Sequence, residues 1–326
     1  MKDSSHRLCI APMMDWTDRH CRFFLRLITR HARLYTEMIT APALSHGDVP
    51  HHLDFDSAEH PLALQLGGSD PAELAHAARL GAAFGYDEIN LNCGCPSERV
   101  QTGSFGACLM AEPRLVAQCV AAMRAAVDVP VTVKHRIGLD ADESYGFVRD
   151  FVGTVAEAGC DVFIVHARNA VLKGLSPKEN REVPPLRYEV VRQLKRDFPR
   201  LAFVLNGGIV DWDTAEREMA HVDGIMLGRI AYHDPYFLAT ADARVFGDDA
   251  PPRSRADVMR AMADHAAVHV GDRTPLRAIT RHILGLYHGQ SGGRRFRRIL
   301  SDAARLRADD TSLLLEALAA VEPAYA

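Results

Sequence analysis

The chain has 326 residues, 48% hydrophobic and 25% charged, which predicts a globular protein with one large domain and a smaller one. It contains no apolar run of about 18 residues and no signal-peptide pattern at its start, so we expect neither a membrane span nor secretion. Its seven cysteines, an odd number set mostly in apolar segments, indicate reduced thiols in a cytoplasmic protein rather than a disulfide framework.

The net charge of -4 argues by itself against a nucleic-acid-binding protein, but the charge is unevenly distributed. Residues 251–326 carry 12 Lys and Arg against 8 Asp and Glu, a net of +4, whereas residues 1–250 carry -8. A basic end on an acidic body is typical of a protein that meets a polyanion at that end, although a solvated charged helix would give the same count.

Eight short runs rich in Val, Ile and Leu alternate with segments of helical periodicity. The predicted strands are 8–13, 33–39, 61–68, 88–95, 131–138, 162–168, 202–209 and 224–230. The predicted helices are 71–83, 112–127, 144–158, 187–197 and 214–220. This alternation predicts a parallel sheet covered by helices, and eight strands favour a closed (β/α)8 TIM barrel over a doubly wound open sheet.

Polar or glycine-rich residues stand at the carboxyl end of nearly every predicted strand, where (β/α)8 barrels build their active sites. In chain order they are Met13 to Asp15, Glu37, Gln65, Asn92 to Pro96, Lys134 to Arg136, His166 to Arg168, Asn206 to Gly208, and Gly228 with Arg229. We therefore predict a ligand in the barrel mouth.

Two connections are unusually long. Residues 169–185 follow the sixth strand and carry Lys173, Lys178 and Arg181, which predicts a lid or binding loop. Residues 41–60 contain four histidines, but their spacing fits no regular metal site, so we expect a solvated loop and no metal.

Residues 248–252, which contain two aspartates and two prolines, predict a linker between a barrel domain at 1–247 and a helical domain at 251–326. Helical periodicity covers 255–270, 276–287 and 312–321. Between the last two of these segments, four arginines surround Phe296, and arginine suits both phosphate contacts and stacking on bases.

The ends of strands seven and eight indicate a phosphate site, because TIM barrels commonly bind phosphate at the loops after these strands. Asn206, Gly207, Gly208 and Gly228 would let main-chain N–H groups approach the anion, and Arg229 adds a charged fork, although tight turns would also explain the glycines.

Strands three, five and six end in Gln65, Lys134 and His166, which offer an amide, a cation and a titratable ring. As a set these groups suit a flavin, although each alone has an ordinary structural explanation.

The fourth strand ends in two cysteines, Cys93 and Cys95. A C-x-C pair raises the possibility of a metal site, but structural zinc needs four ligands and no second pair is at hand. A thiol that is mostly protonated at neutral pH can instead serve as a general acid. Spacing alone does not decide between the two cysteines, because they lie on the same face of a regular strand.

The segment Asn92-Cys93-Gly94-Cys95-Pro96 resembles the N-x-G-C-P signature of tRNA-dihydrouridine synthases. Further segments similar to that family follow in order: residues 11–20, 64–68, 133–134, 166–168, 206–208 and 228–229. Residues 175–181 resemble the DusA subfamily, which acts on uridines 20 and 20a of the tRNA D-loop. The one departure is Cys93, where a small apolar residue is expected.

The resemblance implies a flavin-dependent reductase. FMN would lie at the barrel mouth and be reduced by NADPH, and Cys95 would protonate C5 of uracil while a hydride reaches C6. The residues implied at the FMN are Pro12, Met13, Met14, Gln65, Lys134, His166, Asn206, Gly207, Gly208, Gly228 and Arg229. Those implied at the tRNA are Asn92, Lys178, Arg181, Arg294 and Arg297, and no protein partner is implied.

Three other classes of protein compete with this interpretation. A flavin barrel reductase for a small molecule, of the dihydroorotate-dehydrogenase type, would explain the flavin residues but not the basic loop and tail. A non-catalytic RNA-binding protein would explain the basic segments but not the flavin set. A metal-dependent hydrolase is favoured only by scattered histidines.

Overall fold

The structure is a computed structural model that describes residues 4–97, 103–271 and 273–322. It contains two compact units, one formed by residues 1–14, 33–55 and 60–228 and the other by residues 15–32, 56–59 and 229–326. Within the described residues, no helix has both the length and the apolar character needed to cross a membrane.

The first unit is an eight-stranded parallel barrel. Its strands are β1 (Leu8–Ile10), β2 (Leu34–Thr40), β3 (Leu62–Gly67), β4 (Glu88–Cys93), β5 (Val131–Arg136), β6 (Val162–His166), β7 (Ala202–Asn206) and β8 (Gly224–Leu227). From β2 to β8 each strand pairs with the next along the chain, and β1 pairs with β8. Main-chain hydrogen bonds between Ile10 and Arg33 and between Arg33 and Leu8 bring β1 beside the start of β2, so the predicted (β/α)8 barrel is confirmed.

The helices of this unit alternate with the strands. They are Ala41–His46, Val49–Leu53, Pro71–Phe84, Pro113–Arg124, Tyr145–Glu157, Tyr188–Asp197 and Trp212–Met219. Side-chain caps fix several of their starts: Asp70 accepts hydrogen bonds from the Ala72 and Glu73 N–H groups, and Ser144 accepts one from Phe147 N–H. The five predicted helices are confirmed to within a few residues at each end.

Most of the strands end earlier than predicted. The chain leaves the sheet at Ile10, Cys93, His166 and Asn206, so several predicted strand-end residues lie in the turns above the barrel. After β4 the main-chain N–H groups of Gly94 and Cys95 bond to the side chain of Asn92 instead of to a neighbouring strand. The mouth is therefore built mostly from turns.

The interior of the barrel is filled mainly by apolar side chains. One buried apolar cluster is formed by residues of six strands and by the residue after β1. It consists of Cys9, Ala11, Tyr35, Ala63, Ile164, Val204 and Met226. The partly buried Met13 packs against this set. These side chains form an apolar part of the barrel interior beneath the mouth.

The second unit is helical. Its α-helices are Arg19–Ile28, Arg229–His233, Arg255–His269, Leu276–Ile283, Gly293–Leu300, Ala303–Arg307 and Ser312–Ala319. Its core includes the fully buried Met259, Met262, Phe296, Leu313 and Leu314. The sequence predicts a barrel domain at 1–247 and a helical domain at 251–326, each with its own function. This division stays a prediction.

The expectation of a solvated loop at residues 41–60 is wrong. The segment contains the helices Ala41–His46 and Val49–Leu53 and the short 3-10 helix Ser57–Glu59. Pro42 and Pro50 stand in the first turns of the two helices, where a missing N–H costs nothing. Of its histidines, His60 forms an ion pair with Asp87, with 2.7 Å between Nδ1 and Oδ2.

Candidate active site

The turn after β4 holds Cys95 at the barrel mouth. The side-chain oxygen of Asn92, the penultimate residue of β4, accepts hydrogen bonds from the main-chain N–H groups of Gly94 and Cys95, each at 3.0 Å. The carbonyl of Cys95 accepts from Ala107 N–H at 2.9 Å, and its thiol donates to Ser97 Oγ at 3.5 Å. Cys95 is half-buried, so its thiol is held in place and remains accessible.

Cys93 lies in a different environment, although it is only two residues away. It is the last residue of β4 and has no exposed surface. Burial raises the pKa of its thiol well above the ordinary value, and the neighbouring thiols of Cys119 and Cys160 add to the shift. The chain turns directly after Cys93, so the two cysteines no longer share one face, an outcome that spacing could not reveal.

The carboxyl end of β5 carries three consecutive basic side chains with different environments. His135 is fully buried, and its ring packs on Phe151 and Phe163 with centroids 5.1 and 5.8 Å away. Lys134 and Arg136 alternate with it and therefore project to the other side of the strand. His135 is a core residue, whereas Lys134 and Arg136 belong to the mouth.

Lys134 is a half-buried basic residue at the mouth. Its Nζ donates to Asn206 Oδ1 at 3.2 Å, and among the described residues it has no carboxylate partner. Burial, with the charge of Arg136 added to it, lowers the pKa of Lys134 to about 7, while a charge on Cys95 would raise it. A half-buried cation without a carboxylate partner is a place where an anionic or hydrogen-bond-accepting ligand group would be stabilised.

Arg136 joins three segments of the mouth. Its guanidinium donates to the main-chain carbonyls of Gly94 at 3.2 Å, Asn169 at 3.3 Å and Asn180 at 2.9 Å. Burial lowers its pKa to about 10, whereas a charge on Cys95 would raise it. Arg136 therefore connects the cysteine turn to the long loop after β6.

Gln65 lies at the mouth end of β3 with 1% of its surface exposed. Its Nε2 donates to Asn90 Oδ1 and its Oε1 accepts from Asn92 Nδ2, both at 2.8 Å. Each of these two atoms keeps the capacity for a second hydrogen bond. The structure thus brings Gln65, Asn92 and Cys95 into one hydrogen-bonded group.

The turn after β7 requires glycine. Gly207 and Gly208 have φ values of +114° and +69°, in the region that side chains disfavour. A Cβ added at Gly207 would lie 2.7 Å from His166 Cδ2, and one added at Gly208 would lie 2.3 Å from Leu186 Cδ1. His166 and Leu186 therefore pack directly against the main chain of this turn, an approach that only glycine permits.

The end of β8 lies beside this turn, because Asn206 pairs with Met226 in register. A Cβ added at Gly228 would meet only Ala11 Cβ, at 4.0 Å, so its surroundings are open. Arg229 follows directly in the chain, is exposed, and begins the helix Arg229–His233.

His166, at the end of β6, is half-buried beside Gly207. Burial and the charges of Arg136, Lys134, Arg168 and Arg181 hold its pKa well below the ordinary value. The imidazole is therefore neutral at physiological pH.

The residues after β1 offer an apolar lining. Pro12 and Met13 are half-buried, and Met14 has 56% of its surface exposed. These three apolar residues come shortly after β1, at its carboxyl end.

The loop between β6 and Tyr188 carries three exposed basic residues, and two of them, Lys178 and Arg181, lie on either side of the buried Asn180. Asn180 Oδ1 accepts from Val171 N–H at 2.8 Å, and its Nδ2 donates to Val171 O at 2.8 Å. The buried amide thus gives the long loop a fixed shape. The charge of Arg181 acts on both Arg136 and His166, which indicates that Arg181 lies near the mouth.

Arg294 and Arg297 belong to the second unit, on the helix Gly293–Leu300. Phe296 is fully buried and packs on Tyr287 with 4.7 Å between ring centroids. The ring of Phe296 therefore packs the helix against Tyr287. Of the two arginines, Arg294 is exposed and Arg297 is half-exposed.

Several residues of the site were not predicted individually from the sequence. Arg136 and Arg168 stood among the polar strand ends, but nothing distinguished them from His135. Asn90 and Thr132 gave no signal at all, because single polar residues inside strands are common. Only the register between neighbouring strands, which pairs Gln65 with Asn90 and Asn90 with Thr132, reveals their grouping.

Among the described residues, one group places three potential metal-binding side chains close together: His31, Asp242 and Asp248. These side chains are already engaged with each other and with Arg30, whose Nη2 lies 2.9 Å from Asp248 Oδ2. The group lies in the second unit and includes none of the predicted site residues.

A family model described as dihydrouridine synthase (Dus) matches residues 9–322 of this chain. The match spans the barrel, the cysteine turn and the helices of the second unit.

Curated relatives agree with the family model. A tRNA-dihydrouridine(20/20a) synthase of Pseudomonas putida is 58% identical over 92% of this chain and 89% of that protein. Proteins of the same name from Pseudomonas aeruginosa and Synechocystis are 57% and 54% identical over 96% and 98% of this chain, and over 95% and 96% of their own lengths. With a family model that matches nearly the whole chain and relatives this similar, the chain belongs to the dihydrouridine synthase family.

Proposed function

We propose that this protein reduces uridines 20 and 20a in the D-loop of tRNA to dihydrouridine, with FMN at the barrel mouth, NADPH as the reductant of FMN, and Cys95 as the proton donor. Family membership and the printed name of the relatives support the reaction class. The observation that carries the proposal is the half-buried Cys95 thiol, held by Asn92 within electrostatic reach of Lys134 and Arg136.

The groups of the mouth fit FMN. The glycine turn at Gly207 and Gly208 and the open Gly228, followed by Arg229, suit a phosphate, because main-chain N–H groups and a guanidinium bind phosphate oxygens. The residues that would hold the ring are Pro12, Met13, Met14, Gln65, Lys134 and His166, and those that would hold the phosphate are Asn206, Gly207, Gly208, Gly228 and Arg229. Bound FMN, once reduced, supplies a hydride for C6 of the uracil ring.

Cys95 completes the reduction at C5. As C6 gains the hydride, the electron pair of the C5–C6 double bond becomes available at C5. The S–H bond of Cys95 breaks, a C–H bond forms at C5, and a thiolate remains that takes a proton from water. Lys134 and Arg136 would stabilise that thiolate, because an opposite charge in a dry site has a stronger effect than in water.

The tRNA must present one base to the barrel mouth. A uridine in a folded loop has to be turned out, which costs unstacking energy that contacts to the nucleic-acid backbone can offset. Lys178 and Arg181 on the long loop and Arg294 and Arg297 on the helix Gly293–Leu300 are exposed or half-exposed cations suited to that task. Asn92, with 9% of its surface exposed, would contact the base.

The substrate class is tested by reoxidation of the reduced protein. We expect an unmodified tRNA transcript to reoxidise FMN-loaded, NADPH-reduced protein and to gain 2 Da per reduced uridine, about the mass of the two hydrogens added in such a reduction. The same transcript with cytidine at positions 20 and 20a is the matched control and should not react. Uridine monophosphate or orotate reacting as fast as tRNA would contradict the proposal and favour a small-molecule reductase.

A further inference from the structure

A continuous line of buried hydrogen bonds runs through the barrel interior from its amino-terminal end to the cysteine turn. It begins at Glu88, the first residue of β4, which is fully buried. Thr132 donates to Glu88 Oε1 at 2.5 Å and accepts from Asn90 Nδ2 at 2.8 Å. Asn90 accepts from Gln65, Gln65 accepts from Asn92, and Asn92 accepts from the N–H of Cys95.

The direction of every bond in this line is dictated from both ends. The N–H groups of Gly94 and Cys95 can only donate, so the Asn92 atom facing them must be its oxygen. Its amide nitrogen must then face the oxygen of Gln65, and the same reasoning orients Asn90.

At the other end, an ionised carboxylate can only accept, so Thr132 must donate to Glu88 and accept from Asn90. The two ends therefore require the same order of donors and acceptors. A single reversed amide would place two donors or two acceptors face to face.

Glu88 is suited to anchor the line as an anion. Its other oxygen, Oε2, lies 2.7 Å from His6 Nε2 and 3.4 Å from Arg33 Nε, and Tyr35 donates to Oε1 at 2.9 Å. Burial alone would raise the pKa of Glu88, but the hydrogen bonds from His6 and Thr132 and the charges of His6 and Arg33 lower it below its ordinary value.

We propose that Glu88, Thr132 and Asn90 are positioning residues: their buried line orients the amides of Gln65 and Asn92 and so holds the Cys95 turn in its reactive shape. The functional part of this inference rests on the proposed function, because it assumes that Gln65 faces the FMN and that Cys95 supplies the proton. None of the three positioning residues needs to touch a ligand. Their effect passes through Gln65 and Asn92.

Thr132→Val is the direct test, because valine keeps the shape and removes the hydroxyl. Asn90 Nδ2 loses its acceptor, and the order of the amides is no longer enforced from the Glu88 end. We expect kcat for tRNA reduction to fall about ten-fold with an unchanged KM, as the loss of one buried hydrogen bond would give. Thr132→Ser restores the hydroxyl and should restore kcat.

Tyr35→Phe is the matched control. Tyr35 and Thr132 both donate a hydroxyl hydrogen bond to the same oxygen of Glu88, but only Thr132 stands between Glu88 and Asn90. Tyr35→Phe should lose comparable thermal stability and keep kcat. Equal losses of kcat in Tyr35→Phe and Thr132→Val, or no rescue by Thr132→Ser, would overturn the proposal.

A second readout does not depend on turnover. The rate at which iodoacetamide alkylates Cys95 in FMN-free protein, measured by mass mapping of its peptide, reports the shape of the turn. We expect faster alkylation in Thr132→Val and wild-type rates in Thr132→Ser and Tyr35→Phe. Wild-type protein that forms no dihydrouridine would contradict the proposed function. An unchanged alkylation rate and an unchanged kcat in Thr132→Val would contradict the positioning role of Glu88, Thr132 and Asn90.

If Thr132→Val does not fold, hydrogen exchange in the wild-type protein provides the test. The side-chain amide protons of Gln65, Asn90 and Asn92 should exchange more slowly than those of the exposed Gln290. Exchange as fast as that of Gln290 would overturn the proposal, because such amides are not held in a buried line.

Discussion

Cys95 owes its accessibility to one residue, Asn92. A cysteine inside a strand is an inert core residue, as Cys93 is, because burial keeps its thiol protonated and out of reach. By accepting two main-chain N–H groups just after the strand, Asn92 ends β4 and directs the next cysteine into the mouth. The chemical difference between the two cysteines is therefore produced by local hydrogen bonding.

Lys134 gives a pH-dependent prediction at this scale. Burial lowers its pKa to about 7, so the free protein loses this cation as the pH rises through 7. A ligand ring that accepts a hydrogen bond from the Lys134 ammonium group binds the protonated form better and must drive proton uptake above that pH. The FMN phosphate is already dianionic above pH 7, because the second pKa of a phosphate monoester is about 6. Titration of the phosphate therefore does not contribute to the pH dependence above pH 7.

We therefore expect the affinity for FMN to fall roughly ten-fold or more between pH 7 and pH 9, measured by fluorescence titration. Lys134→Met should bind FMN weakly and show no such fall. Lys195→Met is the control, since Lys195 is paired with Asp223 at 2.8 Å on the same unit. A pH dependence that persists in Lys134→Met would assign the effect to another group.

At the scale of elements, the buried residues of the helix Gly293–Leu300 and its charged residues lie in different rows along the helix. One side buries Gly293, Phe296 and Leu300, while Arg294 and Arg297 lie outside that buried row. The close approach to Tyr287 requires glycine, because a Cβ added at Gly293 would lie 2.3 Å from Tyr287 O. Substituting the two arginines should therefore leave the helix folded.

We expect the double change Arg294→Glu and Arg297→Glu to weaken tRNA binding strongly. The slope of log affinity against log salt concentration should fall by about 2 if each arginine neutralises one phosphate. Filter binding over a series of salt concentrations measures both quantities.

Arg196→Glu with Arg200→Glu is a control with the same charge change. Both of these arginines are exposed near the amino-terminal end of β7, away from the mouth. Equal losses of affinity in the two double variants would show that net charge alone is responsible, and normal affinity in Arg294→Glu, Arg297→Glu would refute the placement of the RNA.

At the scale of the molecule, the regular features were predictable and the exceptions were not. Alternating strand and helix patterns were enough for the barrel, because period and order alone define that fold. The helix Arg19–Ile28 was missed, although its signal was present: Asp18 caps it, and Cys21, Phe24, Leu25 and Ile28 recur at helical spacing.

The composition of the mouth was also readable, since polar residues clustered at strand ends. What could not be read was the environment of each side chain. His135 and Arg136 are neighbours in sequence, yet one is packed between aromatic rings and the other binds three carbonyls. The buried line from Glu88 to Asn92 depends on register across three strands, which no local pattern encodes.

The central claim is that Cys95 delivers a proton to a tRNA uridine across from FMN. Its most direct measurement is mass mapping of D-loop dihydrouridine after reaction with wild-type, Cys95→Ala and Cys93→Ala proteins, each with bound FMN verified by absorbance. We expect Cys95→Ala to bind FMN and lose about 100-fold or more in rate, as removal of a general acid does, and Cys93→Ala to react nearly normally. Normal turnover by Cys95→Ala, or its loss in Cys93→Ala alone, would contradict the account.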